Sequence, residues 1–247
     1  MTIQYRIEGT TLPVVTVTLN PNDRIFSSSG GMSWMTQAVE MDTNTGGGLG
    51  KMFKRALSGE SLFIVDYYVS KGQGEVAFAA EFPGNIVDLQ LAEGQQMIVQ
   101  KDAFMAAEKS VDLDMHFRKK LGSGLFGGEG FILQKLTGAG TAFVNFDGEI
   151  VVKELAAGEV LRVDTGHVAM FEPSVDFDVQ MIKGFKNILL GGEGLFLATL
   201  RGPGKVWLQT MPMSKLAQKV AQYMPQTGGQ GASGGGNVNL GQLLGGQ

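Results

Sequence analysis

The feature that most constrains this chain is that it repeats itself. Three 32-residue segments align without a gap, starting at Leu12, Gly84 and Gly148. Leu19, Leu91 and Leu155 coincide, and so do Ile25, Met97 and Leu161. Each segment closes on one pattern: Val39-Glu40-Met41-Asp42, Val111-Asp112-Leu113-Asp114 and Val175-Asp176-Phe177-Asp178. Internal repetition of this kind means a fold built from similar units that complete one another's cores.

A second module also occurs three times. It opens at Gly59-Glu60, Gly128-Glu129 and Gly192-Glu193 and continues as an apolar strand. It turns at Gly72/Gly74, Gly138/Gly140 and Gly202/Gly204. It returns as an alternating strand through Val76 and Phe78, Ala142 and Val144, Val206 and Leu208. Glycine suits such turns because it adopts backbone angles other residues avoid. Pro83-Gly84 and Asp147-Gly148 mark hairpins to the next module. Apolar and polar residues alternate with period two in both modules, so the class is all-β. The first segment and the last Gly-Glu module stand at opposite ends of the chain. The economical expectation is that they pair, giving a single domain of three pseudo-repeated β units about a pseudo-threefold axis, with no free sheet edge at the seam. The domain is then residues 1–213, with units 59–115, 128–179, and 192–213 completed by 3–42.

Beyond it, Ser214 is placed to cap a short helix over 214–224, with Leu216, Val220 and Met224 on one face. Residues 225–247 hold nine glycines and no charge, which predicts a disordered Gly/Gln-rich tail. Leu240, Leu243 and Leu244 are its one apolar cluster.

Composition removes several chemistries. The 247-residue, 26.3 kDa chain has no cysteine, so disulfides, thiolate catalysis and zinc–cysteine sites are excluded. Two histidines, His116 and His167, occupy non-equivalent repeat positions and read as ordinary surface or hydrogen-bonded residues. Lys plus Arg is 20 against 24 Asp plus Glu, a net charge of −4 that offers nucleic acid no bulk attraction. No basic-then-apolar leader and no apolar run of about 18 residues is visible, so a cytoplasmic protein without a transmembrane segment is expected.

The segment Gly46-Gly47-Gly48-Leu49-Gly50-Lys51-Met52 only superficially resembles a phosphate loop. Thr45 replaces its first glycine, and Met52 stands where a magnesium-binding hydroxyl belongs. The G-x-G turns lack the third glycine of a dinucleotide fingerprint and lie between strands. No G-x-S-x-G nucleophile elbow occurs. Glu40, Asp112 and Asp176 are equivalent, as are Asp42, Asp114 and Asp178. Period-two geometry sends these acids outward and Val39/Met41, Val111/Leu113 and Val175/Phe177 inward. A ring of carboxylates suits a hard cation, but the solvated face of a two-faced strand is the preferred reading. No catalytic, cofactor-binding or metal-binding residues are assigned, and no cofactor is expected.

Between each segment and the next Gly-Glu module lies a basic connector. Lys51, Lys54, Arg55, Arg118, Lys119, Lys120, Lys183 and Lys186 form a candidate positive rim, with Phe53, Leu121 and Phe185 beside them. Such a rim would dock on an anionic surface, a lipid layer or an acidic partner.

The signature Gly191-Gly192-Glu193-Gly194-Leu195-Phe196 is echoed at Gly127-Gly128-Glu129-Gly130-Phe131 and Ser58-Gly59-Glu60-Ser61-Leu62-Phe63. It resembles the microbial conserved-protein family related to the mitochondrial "altered inheritance of mitochondria" biogenesis protein, over about residues 3–213. The resemblance implies a compact β fold of the short double-stranded β-helix type, grouped with the tryptophan-RNA-binding attenuator protein. It implies no activity, cofactor or catalytic residue, and the attenuator's RNA and tryptophan sites have no counterpart here. The mitochondrial relative's tie to inner-membrane organisation implies a scaffold near membranes. The leading expectation is a non-enzymatic interaction or scaffold protein with an unknown protein partner or anionic surface, and a homo-oligomer is admissible. The alternative is a small-ligand or cation-binding module with its site between repeat units.

Overall fold

The structure, a computed structural model, describes residues 3–43, 64–119, 130–181 and 196–223. The alternating segments form strands in three like groups. The first group is β1 (Gln4–Glu8), β2 (Val14–Leu19), β3 (Arg24–Ser28), β4 (Trp34–Met35), β5 (Glu40–Asp42), β6 (Ile64–Tyr68) and β7 (Gly74–Ala79). The second is β8 (Gly84–Leu91), β9 (Gln96–Gln100), β10 (Phe104–Glu108), β11 (Asp112–Lys119), β12 (Phe131–Thr137) and β13 (Gly140–Asp147). The third is β14 (Ile150–Leu155), β15 (Val160–Asp164), β16 (Val168–Phe171), β17 (Asp176–Met181), β18 (Phe196–Arg201) and β19 (Gly204–Gln209), followed by helix α1 (Met213–Tyr223). The all-β expectation with one short C-terminal helix holds.

One antiparallel pairing scheme recurs in each group. β2 lies on β7, β8 on β13 and β14 on β19. β3 lies on β6, β9 on β12 and β15 on β18. The closing strands β5, β11 and β17 cover the other edge of β6, β12 and β18. β4, β10 and β16 cover the other edge of β7, β13 and β19.

This pairing corrects the expected unit boundaries. Each 32-residue segment pairs with the Gly-Glu module that follows it, so units 59–115 and 128–179 each cut across two real ones. Among the described residues, 196–213 are not completed by 3–42, since β18 and β19 pair only with strands of their own unit and β1 pairs with β2. The three modules are alike, so each offers a complementary edge. For residues 192–213 the strands of 150–181 are near in sequence and those of 3–42 are far, so the local closure costs less entropy. Pro83-Gly84 and Asp147-Gly148 do not join paired strands either. They stack between units, with Gly84 N–H donating to Thr11 O and Gly148 N–H to Pro83 O, both at 2.8 Å.

In pairing order the units form a row, first to second and second to third, and consecutive units share sheets. One six-stranded sheet runs β5-β6-β3-β10-β13-β8 and the next β11-β12-β9-β16-β19-β14. Each takes three strands from one unit and three from its successor. The first junction pairs Ser27 with Ala106, Phe26 with Ala107 and Ile25 with Glu108. The second pairs Val99 with Met170 and Ile98 with Phe171. At the ends of the row stand a four-stranded sheet, β1-β2-β7-β4, and a three-stranded one, β15-β18-β17.

The core follows the sheets across the junctions. Val15, Val17, Leu19, Ile25, Tyr67 and Phe78 pack with Ala106 and Phe143 of the second unit. Phe26 packs among second-unit residues, and Ile98, Phe131 and Leu133 among third-unit residues. The units are therefore not separate domains. β1 reinforces the first junction. The Tyr5 ring meets Phe143 edge-on at 4.9 Å, and its hydroxyl donates to Asp88 at 2.5 Å. Burial and the Asp88 carboxylate push that hydroxyl up to about 12.

The second glycine of each G-x-G turn has a packing reason. A Cβ at Gly74, Gly140 or Gly204 would fall 2.7, 3.0 or 2.8 Å from a methyl of Val39, Val111 or Val175. Those valines are the buried residues that open the closing pattern in each repeat. Gly140 and Gly204 also hold φ of +143° and +139°.

Helix α1 begins one residue earlier than expected, and Ser214 lies inside its first turn rather than capping it. The cap is long-range: Asp147 Oδ2 accepts from Met213 N–H at 3.1 Å. Lys215 Nζ adds an ion pair to Asp164 at 2.6 Å. These contacts tie down the first turn, and Val220 beyond it is 51 % exposed rather than packed on the body. Met224 and the tail 225–247 lie outside the described residues.

Candidate functional site

Of the eight basic connector residues, Lys51, Lys54, Arg55, Lys120, Lys183 and Lys186 lie outside the described residues. So do Phe53, Leu121, Phe185 and the Gly46–Met52 segment. Arg118 and Lys119 close β11, and both are half-buried. Lys119 Nζ donates to the Val179 carbonyl and sits 3.8 Å from the Asp178 carboxylate, both on β17 of the next unit. Gln180 and the Val179 N–H, with this ammonium, hold the Asp178 carboxyl below its ordinary value. Phe117 and Phe177 meet edge-on at 5.3 Å nearby. Lys119 thus fastens two units together.

The repeated acids face outward as expected, except that Asp42 is half-buried. Among the described residues no group of three or more His, Asp or Glu is close enough to hold a metal ion. Val39, Val111 and Val175 are buried, and Leu113 and Phe177 pack against the second and third cores. Met41 departs from the pattern at 51 % exposure. β5 is three residues long where β11 has eight and β17 six, so it lacks the length that covers the equivalent residues.

His116 sits in the bulge of β11 between Met115 and Phe117 and is exposed. Partial burial and the Lys135 charge lower its pKa. His167 donates from Nδ1 to the Gln209 carbonyl at 2.8 Å. The Gln209 side chain is buried between the Asp147 N–H and the Gly166 carbonyl. His167 is therefore part of the scaffold that seats α1.

The residues the sequence reading missed lie at the two ends of the row. In the gapless alignment Trp34-Met35 on β4 stand where Ala106-Ala107 and Met170-Phe171 stand. Leu161-Arg162-Val163 on β15 stand where Ile25-Phe26-Ser27 and Met97-Ile98-Val99 stand. At the two internal junctions every one of these positions is buried. At the ends two of them are open while Met35, Leu161 and Val163 stay half-buried: Trp34 is 55 % exposed where Ala106 and Met170 are at 0 %. Val160 is 42 % exposed, and Arg162 is exposed. Among the described residues β4 and β15 each have a strand partner on one side only. The available sequence signal was Arg162 aligned with Phe26 and Ile98.

These features define a class: an all-β protein of open sheets whose end strands carry apolar side chains into solvent. The family model described as mitochondrial biogenesis AIM24 matches residues 5–211, and the chain belongs to the AIM24 family. It is similar to an uncharacterised protein of Streptococcus pyogenes serotype M6, 32 % identical over 221 residues, covering 86 % of this chain and 87 % of the relative. It is also similar to a crystal structure of a Streptococcus pyogenes protein, with a TM-score of 0.73 and 28 % identity, covering 90 % of this chain and all of that one. No helix among the described residues is long and apolar enough to cross a membrane.

Proposed function

We propose that this member of the AIM24 family is a non-enzymatic interaction or scaffold protein. The observation that carries the reading is the pair of open end strands, where Trp34 and Val160 sit in solvent at strand edges. Exposed apolar side chains on an unpaired edge are what a partner strand or surface takes up. The polar residues that sequence reasoning singled out support the same reading, because His167 and Lys119 are spent on holding the fold. The finer reading of each unit as a short double-stranded β-helix, of the attenuator-protein type, belongs to this proposal and is supported by the threefold recurrence of its pairing scheme. A cytoplasmic location belongs to the same proposal. Action near membranes rests on the charge of the basic connectors.

The test is capture from the native host with three forms: the wild type, a chain ending at Met224, and Trp34→Lys. A defined partner lost from Trp34→Lys supports the reading. A capture profile no different from that of an unrelated β protein overturns it. For the membrane component, anionic vesicles should bind the wild type at low salt and bind Lys54→Glu/Lys120→Glu/Lys186→Glu less. No vesicle binding at low salt removes that component.

A further inference from the structure

The two internal junctions are built from one pair of edges. The second strand of a unit's repeat segment (β3, β9) pairs with β10 or β16 of the following unit. The third member of the first series is β15, and the third member of the second is β4. Among the described residues these two edges are left over, one at each end of the row. The three-stranded sheet β17-β18-β15 and the sheet β4-β7-β2 are the two halves of a six-stranded sheet like the other two, with β1 added outside β2.

We propose that β15 of one chain pairs antiparallel with β4 of a second copy of this chain, completing that sheet in a head-to-tail assembly. The internal junctions set the register. Ser27 faces Ala106 and Val99 faces Met170, so Val163 faces Trp34 of the second copy. Phe26 faces Ala107 and Ile98 faces Phe171, so Arg162 faces Met35.

The substitutions at this third junction are matched to one another. At the first junction Phe26 meets the Phe104 ring at 5.7 Å, and the Lys109 ammonium lies 5.7 Å from the Phe26 ring. Where Phe26 becomes Arg162, Phe104 becomes Met32 and Lys109 becomes Gln37. The flexible thioethers of Met32 and Met35 accommodate an arginine stem, and Gln37 offers a carbonyl oxygen to the guanidinium where a lysine would repel it. Trp34 in turn takes the place of Ala106 and Met170, which are buried by the preceding unit. A heterologous contact of this kind yields a closed ring if its rotation closes and a filament if it does not.

This inference deepens the reading of the end strands as interaction surfaces by naming the occupant. The chain has no cysteine, so disulfide trapping reads it cleanly. Full-length Trp34→Cys and Val163→Cys chains are mixed and oxidised. Directly opposed residues on paired strands lie about 4.5–5.5 Å apart at Cα, within disulfide reach. The expected result is a disulfide-linked dimer from the mixture and none from either variant alone. Light scattering on the wild type should give a mass above 26.3 kDa, as a discrete multiple or a filament distribution. Trp34→Lys, which alters an exposed side chain, should return a monomer with an unchanged far-ultraviolet circular dichroism spectrum. A monomeric wild type at the trapping concentration, no cross-link in the mixture, or a Trp34→Cys/Val163→Cys chain that links only within itself would each overturn the proposal. A monomer that still captures a host partner removes the assembly and leaves the scaffold reading. An assembly that captures nothing does the reverse.

Discussion

The ion pair across the first junction offers a quantitative test of how tightly the units are coupled. Lys109 of the second unit places Nζ 2.8 Å from Asp66 Oδ1 of the first, with the Asp66 side chain 7 % exposed and that of Lys109 44 %. Lys109→Met keeps most of the stem and removes the charge, leaving a buried carboxylate without its cation. Removing one partner of a fully buried pair costs about 3–5 kcal/mol, and a surface pair is worth about 0–1 kcal/mol. The half-exposed lysine puts this case between the two, at about 1.5–3 kcal/mol. Asp66→Asn keeps a hydrogen-bond acceptor beside a lysine that water can reach, and should cost about 0.5–1.5 kcal/mol. Lys109→Met/Asp66→Leu should cost less than Lys109→Met alone, because no charge is stranded beside Phe26 and Val65. Urea unfolding of the four proteins, read by tryptophan fluorescence and circular dichroism together, supplies the comparison. A Lys109→Met loss below about 0.5 kcal/mol would refute the idea that this contact matters to the junction, since that is the range of an ordinary surface change. So would a double variant that is worse than Lys109→Met.

Gly204→Ala should destabilise by about 2–4 kcal/mol in urea unfolding, since a Cβ there strains the backbone and overpacks Val175. Asn22→Gly, which relieves a residue at φ of 80° in a turn where the other repeats have Gly94 and Gly158, should lose no stability. Burial raises the Asp147 carboxyl, the Met213 N–H bond opposes it, and the charges of Asp102 and Glu81 add to the rise. The folded state therefore binds more protons than the unfolded one just above the ordinary value of 3.8, and stability from this group falls as pH rises through its folded value. Asp147→Asn still caps Met213 and should flatten that part of the stability–pH curve, measured by thermal melts from pH 4 to neutral. Ending the chain at Met224 should move the thermal midpoint by no more than about 2 °C, whereas a ten-degree drop would show that the tail contributes to the core.

Most of the strands were legible because a buried valine every repeat and a glycine packed against it leave a signature in a single sequence. Val39, Val111 and Val175 with Gly74, Gly140 and Gly204 are that signature. Which segment pairs with which was not legible. The three Gly-Glu modules present nearly the same edge, and pattern alone does not weigh closure of a near segment against a distant one. Met41 was misplaced because its pattern matches Leu113 and Phe177 while the length of β5 does not. The start of α1 was off by one residue because its cap, Asp147, is far away in sequence. The end strands escaped notice because exposure at Trp34 and Arg162 depends on having no neighbour, which is a property of position in the row.

The row has a consequence for how such chains can change length. Each internal unit offers one edge forward and accepts one edge backward, and a bond between stacked turns, as from Gly148 to Pro83, accompanies the step. A tandem duplication of residues 84–147 would insert a unit whose two faces already fit those on either side. A deletion of the same span would bring β3 against β16, the same kind of edge pair. Unit number in a lineage is then free to drift by whole units, while drift by a few residues inside a unit is penalised by register.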